Sequence, residues 1–121
     1  MVKTKRIRPI HWLFEPLEKD PGFEQRRLFS LDAAYLDNRL YLAFGDGPKE
    51  AWNGLMICTE QKHHASLRKE FPQLSPHKAL HKWLHLPQSH PEFESVAERL
   101  VELARKRDPR LGITPKRKPG D

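Results

Sequence analysis

Eleven prolines are spread along the 121-residue chain, and they limit the length of every regular element. A proline lacks the amide donor and clashes with the preceding helical turn, so neither a helix nor a central strand runs through it unbroken. These prolines bracket the segments with regular hydrophobic periodicity, which indicates short helices and strands separated by turns. A chain of this length fits one domain with one hydrophobic core.

The first two periodic segments predict a helix and a hairpin. The segment PIHWLFEPLEKD places apolar residues on one helical face, but Pro16 interrupts it, so we expect a short or broken helix that ends before residues 20–22. Further on, Asp37 and Asn38 separate two runs of alternating apolar residues. Because Asp and Asn tolerate left-handed backbone conformations, this pair predicts a β-hairpin with one buried face.

A strand and a helix are predicted next. The sequence GLMICT at 54–59 is mostly apolar, which is typical of a central strand. Thr59 is placed to cap the helix EQKHHASLRKEF, which Pro72 ends. This helix is expected to bury Leu67, Phe71 and one of the two adjacent histidines.

The last helix has the clearest pattern in the sequence. Ser89 and Glu92 have the Ser-x-x-Glu spacing of a capping box, with Pro91 in the first turn, and Asp108 followed by Pro109 ends the helix. Its predicted buried face consists of Phe93, Val96, Ala97, Leu100, Val101 and Ala104. We therefore expect a single α+β domain at 9–110, between a basic N-terminal arm at 1–8 and a flexible basic tail at 111–121.

The net charge of +6 is concentrated at the two ends of the chain. Residues 1–8 carry +4 and residues 105–121 carry +5, which leaves 6 − 9 = −3 for the body. An acidic body argues against a nucleic-acid surface built into the fold, whereas basic ends predict salt-sensitive attraction to DNA or another polyanion. Solvated ends that only aid solubility are the alternative. The candidate phosphate contacts are Lys3, Lys5, Arg6, Arg8, Arg105, Lys106 and Arg107.

Residues 75–94 contain four histidines, which raises the question of a metal site. In a helix, His77, His81 and His85 would lie near one face; in a strand, His81, Trp83 and His85 would share a face. We favour a turn at 76–80 followed by a strand. His81 and His85 are then about 13 Å apart at their backbones, too far for one metal ion unless the chain folds back. The prediction is therefore no metal and no cofactor, with histidines that flank Trp83 on a half-exposed strand.

Cys58 is the only cysteine, so an internal disulfide is excluded. It lies at the end of a predicted strand and just before a helix, a position that can lower a thiol pKa, and His63 and His64 follow it. A small cysteine buried in a central strand is the commoner situation. No glycine-rich phosphate loop is present. We therefore predict a protein that is not an enzyme, with a small-ligand or enzyme site that uses Cys58 and the histidines as an alternative.

Two further features concern location and surface. No apolar run approaches the roughly 18 residues that span a bilayer, and the N-terminus lacks the apolar region of a signal peptide, so we expect a soluble cytoplasmic protein without a membrane partner. Trp52 precedes the turn at Asn53 and Gly54 and is the best candidate for an exposed aromatic residue. The oligomeric state is left open.

The order of the segments resembles a known family. A strand that ends in Cys-Thr, the helix EQKHHASLRKEFPQLSP, the strand HKWLHL and the helix PEFESVAERLVELA are similar to the MmcQ/YjbR family of small bacterial proteins, and the hairpin resembles the start of the TfoX N-terminal domain. The resemblance covers residues 10–108. Lys82 and Trp83 match the Lys/His/Trp strand of that family, although the family often has its histidine directly before the tryptophan.

This resemblance implies an α+β fold, with helices on one face of a twisted antiparallel sheet of four to five strands. Family members are often labelled DNA-binding and mostly lack an assigned activity, and TfoX-type proteins regulate competence. Together with the charge pattern, it predicts a non-enzymatic regulatory or binding module that contacts DNA through its basic termini. A protein-interaction module is the alternative, with a surface patch at Trp52, Lys82 and Trp83.

Overall fold

The computed structural model describes residues 12–28 and 30–114, which form one antiparallel sheet and three α-helices. The strand order across the sheet is β1-β2-β3-β4-β6-β5. This confirms the predicted α+β class, although the sheet has six strands instead of four to five. The helices are α1 (Glu15–Glu18), α2 (His64–Glu70) and α3 (Phe93–Arg105); the strands are β1 (Phe23–Leu28), β2 (Leu31–Leu36), β3 (Arg39–Asp46), β4 (Asn53–Ile57), β5 (Ser75–Pro76) and β6 (Leu84–Leu86).

The predicted hairpin is present as β2 and β3. Asp37 and Asn38 have φ angles of 54° and 66°, the left-handed values that a two-residue turn of this kind requires. The register changes along the hairpin, because Ala34 pairs with Leu42 whereas Tyr35 pairs with Leu40. The extra residue forms a β-bulge, and a bulge increases the local twist of the sheet.

The helices pack on one face of the sheet, as predicted. Residues of α1, α2 and α3 join residues of β2, β3, β4 and β6 in one hydrophobic cluster. The six apolar residues predicted for the last helix are all buried there, and Leu67 and Phe71 are fully buried. His63 and His64 are both half-buried, so neither is the core histidine that the sequence predicted.

The opposite face of the sheet is also buried, and this differs from the predicted one-sided hairpin. Every residue of β2 is buried, because residues that face away from the helices form a second hydrophobic cluster. No residue of the three α-helices belongs to this cluster. Trp52, Leu80 and Trp83 cover it instead, from the segments that precede β4 and β6.

Strand β1 was not predicted from the sequence. Its inner four residues, Glu24 to Arg27, are all exposed, so it has no alternation of apolar and polar residues. Among the strands of the described chain it pairs only with β2, at one edge of the sheet. An edge strand needs no buried face of its own, which removes the hydrophobic signal that reveals other strands.

Both predicted side-chain caps are wrong. Thr59 donates its hydroxyl hydrogen to the carbonyl of Arg110 at 2.5 Å, and a short 3-10 turn at Gln61–His63 precedes α2. Glu92 accepts a hydrogen bond from the side-chain amide of Gln73 at 2.5 Å, and α3 begins one residue after it. In each case the side chain that local spacing predicted to cap a helix forms a hydrogen bond with a residue distant in sequence instead.

The predicted C-terminal tail begins too early. Leu111 is buried, the amide of Gly112 donates to the carbonyl of Cys58, and Ile113 pairs with Leu40. Residues 111–114 therefore belong to the folded domain, since they extend the sheet contacts beside β3. The N-terminal arm at 1–8 and the tail from 115 lie outside the described residues.

Gly54 provides a test of the junction between β4 and β6. Its φ is +113°, and a Cβ atom would overlap the carbonyl of Leu86 and lie 2.8 Å from the amide nitrogen of Gln88. We expect Gly54→Ala to lower the free energy of unfolding by about 3 kcal/mol, from backbone strain and steric overlap together. Urea denaturation at unchanged m-value measures this loss.

Gly47→Ala is the matched control, because the nearest atom to a Cβ there is the carbonyl oxygen of Trp52, at an ordinary 3.7 Å. It should change stability by less than about 0.5 kcal/mol. Equal effects of the two substitutions would contradict this account of the junction.

Candidate functional site

Two of the four histidines of residues 75–94, His77 and His85, are brought together in a way that the sequence did not predict. His77, which was placed in a turn, is 1% exposed and lies beneath the loop before β4. Its ring centroid is 5.3 Å from that of His85 and 4.9 Å from that of Trp52. His81, which was expected to share a strand face with His85, is exposed in a turn outside β6, where it donates a hydrogen bond to the carbonyl of Lys78.

Both nitrogens of His77 are occupied. Nε2 lies 2.5 Å from the carbonyl oxygen of Ala51, and Nδ1 accepts hydrogen bonds from the amides of Ala79 and Leu80 at 3.0 and 2.9 Å. A ring that accepts two amides at Nδ1 carries its proton on Nε2, so His77 is neutral. Burial lowers the pKa of His77 and favours the same neutral state. His77 therefore holds two loops together and has no lone pair left for a metal ion.

His85, in β6, makes a similar hydrogen bond to the same part of the chain. Its Nε2 donates to the carbonyl of Asn53 at 2.7 Å. The two imidazoles thus hold the segment that carries Trp52 against the segment that carries Trp83. Together these two segments cover the second face of the sheet. Among residues 12–28 and 30–114, no group of three or more His, Cys, Asp or Glu side chains is arranged to hold a metal ion.

The predicted surface patch at Trp52, Lys82 and Trp83 is largely absent. Trp83 is 8% exposed and belongs to the second hydrophobic cluster. Trp52 is half-buried against the same cluster. Only Lys82 is exposed. The tryptophan rings are used for packing because the helices leave this face uncovered.

Cys58 is fully buried, and burial raises the pKa of its thiol well above the ordinary value. A reactive cysteine needs thiolate character and access to a substrate, and Cys58 has neither. It packs in the second cluster beside Met56, as a small apolar residue does. These two observations argue against the cysteine-based alternative.

The predicted phosphate contacts at the end of α3 are each paired with a carboxylate. Arg105 donates two hydrogen bonds to Glu102, at 2.9 and 2.6 Å, and Lys106 lies 3.7 Å from the same carboxylate. Arg107 bridges Asp20 at 2.7 Å and Asp37 at 3.0 Å. Three cations thus meet three carboxylates, so this group presents little net charge to a polyanion.

The Arg107 bridge has a structural role. Hydrogen bonding from Arg107 lowers the pKa of Asp20 to about 2, so the carboxylate is ionised at neutral pH. The bridge joins the end of α3 to the start of β1 and to the hairpin turn. Arg107 itself has a φ of 58°, a left-handed conformation that ends the helical path and turns the chain back toward the sheet. The other predicted contacts, Lys3, Lys5, Arg6 and Arg8, lie outside the described residues.

A different group of basic side chains gathers where β4 ends and β6 begins, and its cations are Arg39, Lys62, Lys78 and Lys82. These strands are antiparallel, with Ile57 opposite Leu84, so the residues after β4 and those before β6 lie at the same end of the sheet. Strand β3 starts at this end as well, because Leu42 is opposite Ile57. We call this group the basic end; it consists of Arg39, Lys62, His63, His64, Lys78, His81 and Lys82.

Contacts tie most of the basic end together. Nε2 of His64 donates to the carbonyl of Lys82 at 2.8 Å, which joins α2 to the segment before β6. A groove of about 290 Å³ lies between Arg39, Lys62 and His63, with Glu60 and Thr114 also on its wall. The last described residue of the chain is therefore part of this end.

Most cations of the basic end have no carboxylate neighbour among the described residues. Lys78 and Lys82 are exposed and make no ion pair within the described part of the chain. Arg39 donates to the carbonyl of Gly112 instead of a carboxylate. Lys62 is the exception, since it lies 3.6 Å from Glu60.

The acidic residues are concentrated elsewhere. A groove of about 580 Å³ at the start of α3 is lined by Glu92, Glu94 and Glu98 beside Trp12 and Phe93. The net charge of −3 for the body is therefore the sum over two regions of opposite charge, one basic and one acidic. A window over residues 61–82 would have revealed the basic one, since it holds five Lys or Arg residues against Glu70 alone, 5 − 1 = +4.

Comparison with known proteins gives no further guide to function. No protein-family model, no curated protein and no solved structure matches this chain. In residues 12–28 and 30–114, no helix has the length and apolar character needed to cross a bilayer.

The hydrogen bonds of His77 to two loops predict a specific pH dependence of the free energy of unfolding. The folded state lowers the pKa of His77 below the ordinary 6.5, so the unfolded chain binds more protons near that pH. The stabilisation is complete above pH 6.5 and is lost as the pH falls toward the lower pKa of the folded state, because a protonated Nδ1 cannot accept the two amides. One such group contributes a slope of at most about 1.4 kcal/mol per pH unit.

We expect His77→Gln to lower the free energy of unfolding by about 2 kcal/mol at pH 7.5 and to flatten its decline toward pH 5. Urea denaturation across this pH range measures both effects. His81→Gln makes the same change at an exposed residue and should keep the wild-type pH dependence. An unaltered decline in His77→Gln would show that another group controls it.

Proposed function

We propose that this chain is a non-enzymatic module that binds nucleic acid through phosphate contacts made by the basic end. The observation that carries this proposal is the difference in pairing between two sets of cations. Arg105, Lys106 and Arg107 are held by carboxylates, whereas Lys78 and Lys82 have no such partner among the described residues. Cations without an internal partner are the ones available to replace the counterions of a phosphate backbone.

The residue types of the basic end suit phosphate contacts better than base reading. Lysine ammonium groups act as point charges with three rotatable donors, which suits phosphate oxygens. The basic end is built from loops, from the 3-10 turn at Gln61–His63 and from the first residues of α2 and β3, so no long helix lies along it to enter a groove. Binding is therefore expected to depend on salt and to discriminate weakly between sequences.

The chain continues from this surface into more positive charge. Thr114 lines the groove at the basic end, and Lys116, Arg117 and Lys118 follow within four residues. The sequence beyond Thr114 is therefore itself basic, which suits a polyanionic partner.

The family resemblance agrees with this proposal. The MmcQ/YjbR and TfoX-like order of strands and helices suggests a small regulatory module, and such proteins are often labelled DNA-binding. We propose the same class for this chain, with two differences from the sequence-based hypothesis. The contacts come from the folded body as well as from the tail, and Arg105 to Arg107 are not among them.

Fluorescence anisotropy with a labelled DNA duplex and a labelled single strand tests the proposal. We expect wild-type protein to bind both at low salt, with an affinity that falls linearly on logarithmic axes as salt rises. The double variant Lys78→Gln/Lys82→Gln should make the slope for the duplex shallower by about 1.8, because each lost phosphate contact removes about 0.9.

Two control variants carry the same change in net charge. Lys19→Gln/Lys49→Gln removes two exposed lysines outside the basic end, and Arg105→Gln/Lys106→Gln removes two cations already paired with Glu102. Both controls should retain a slope close to that of the wild type. Absence of binding at low salt would overturn the proposal, and so would equal losses in all three double variants, since these would indicate attraction to net charge alone.

A further inference from the structure

The outer edge of β1 is unpaired within the described residues. Strand β1 comes first in the sheet order and pairs only with β2, and within residues 12–28 and 30–114 no strand pairs with its other side. The amide of Phe23 donates to the carbonyl of Asp20 and not to β2, so it faces away from the sheet. Backbone groups alternate in direction along a strand, so those of Gln25 and Arg27 face outward as well.

The β1 edge lacks most of the features that prevent an edge strand from pairing with another chain. It is six residues long, contains no proline, and pairs with β2 without a register shift. At the opposite edge of the sheet, β5 has only two residues and ends in Pro76. A long regular edge with unpaired donors and acceptors is a template for another strand, and among the described residues charged side chains are the only feature of β1 that disfavours such pairing.

Those charges are complementary in one self-pairing register. From these residues we infer that β1 pairs antiparallel with β1 of a second copy of this chain, with the two Gln25 residues opposite each other. The two copies are then related by a two-fold axis perpendicular to the sheet, so their helix-covered faces lie on the same side of the combined sheet. Glu24 then lies opposite Arg26 of the second copy, and Arg26 lies opposite its Glu24.

Neighbouring registers are less favourable. A pairing centred on Arg26 places the two Arg26 guanidinium groups opposite each other, and one centred on Glu24 does the same with two carboxylates. Like charges directly opposite each other on a sheet are destabilising. In the register centred on Gln25, the existing Arg26–Glu24 pair, at 2.9 Å, becomes part of a four-charge cluster of alternating sign.

The size of the contact determines the kind of dimer. One strand on each side buries much less surface than the roughly 1,200–2,000 Å² of a stable interface. The dimer should therefore be reversible and dependent on concentration, and screening of the cross-strand charges should weaken it at high salt. This inference rests on β1 alone and is independent of the proposed nucleic-acid binding, whose residues lie elsewhere.

Sedimentation velocity of the full-length chain over a range of concentrations tests the pairing. We expect a monomer–dimer equilibrium for the wild type. Gln25→Pro removes an outward amide that β2 does not use, and edge positions of this kind tolerate proline, so the variant should stay folded and lose the dimer. Gln25→Val keeps the amide and should dimerise like the wild type.

Charge variants give a second, independent test. Glu24→Arg and Arg26→Glu each place like charges opposite each other and should weaken the dimer roughly tenfold. The double variant Glu24→Arg/Arg26→Glu restores opposite charges and should recover nearly wild-type dimerisation. A wild-type chain that is monomeric at every concentration would overturn the inference, as would a dimer that the single charge variants leave unchanged or that the double variant fails to restore.

Discussion

The structure depends on covering a sheet whose two faces are both apolar although only one carries helices. The helices fill the first face with the side chains that their periodicity predicts. On the second face, loops must lie flat over buried residues such as Ala43 and Met56. Loops carry backbone polar groups that need partners when water is excluded. His77 and His85 supply them, because each ring donates to a carbonyl of the segment before or at the start of β4.

This constraint gives the histidines and tryptophans their roles. A lysine or arginine could not replace His77, since the ring must accept two amides at one nitrogen and donate from the other while buried. Trp52 and Trp83 supply large apolar areas where no helix is available. The residues that suggested a metal site or a binding patch in the sequence therefore complete the core. The candidate functional site is instead the basic end of the sheet.

Much of the fold could be predicted from the sequence, but the candidate site could not. Predictions from strong periodicity are confirmed: the buried face of α3, the turn at Asp37 and Asn38, and β4 in the interior of the sheet. Predictions from local spacing alone, such as the cap at Thr59 and the capping box of Ser89 and Glu92, are wrong because groups distant in sequence bind Thr59 and Glu92 instead. Strand β1 gave no signal, since an edge strand with exposed side chains on both faces shows no periodicity. Charge summed over the body likewise concealed the basic end, because the sum ignores where each residue lies.

The sequence by itself determined the α+β class, the buried helical faces and the absence of a disulfide, since these follow from residue type and from spacing within single segments. The tertiary structure alone decided which histidines meet, which cations keep a carboxylate partner and which strand edge stays open. These properties depend on contacts between segments far apart in the chain, such as Ala51 with His77 and Asp20 with Arg107. Hydrogen bonds and ion pairs act over a few ångströms in space, and separation along the sequence does not report that distance.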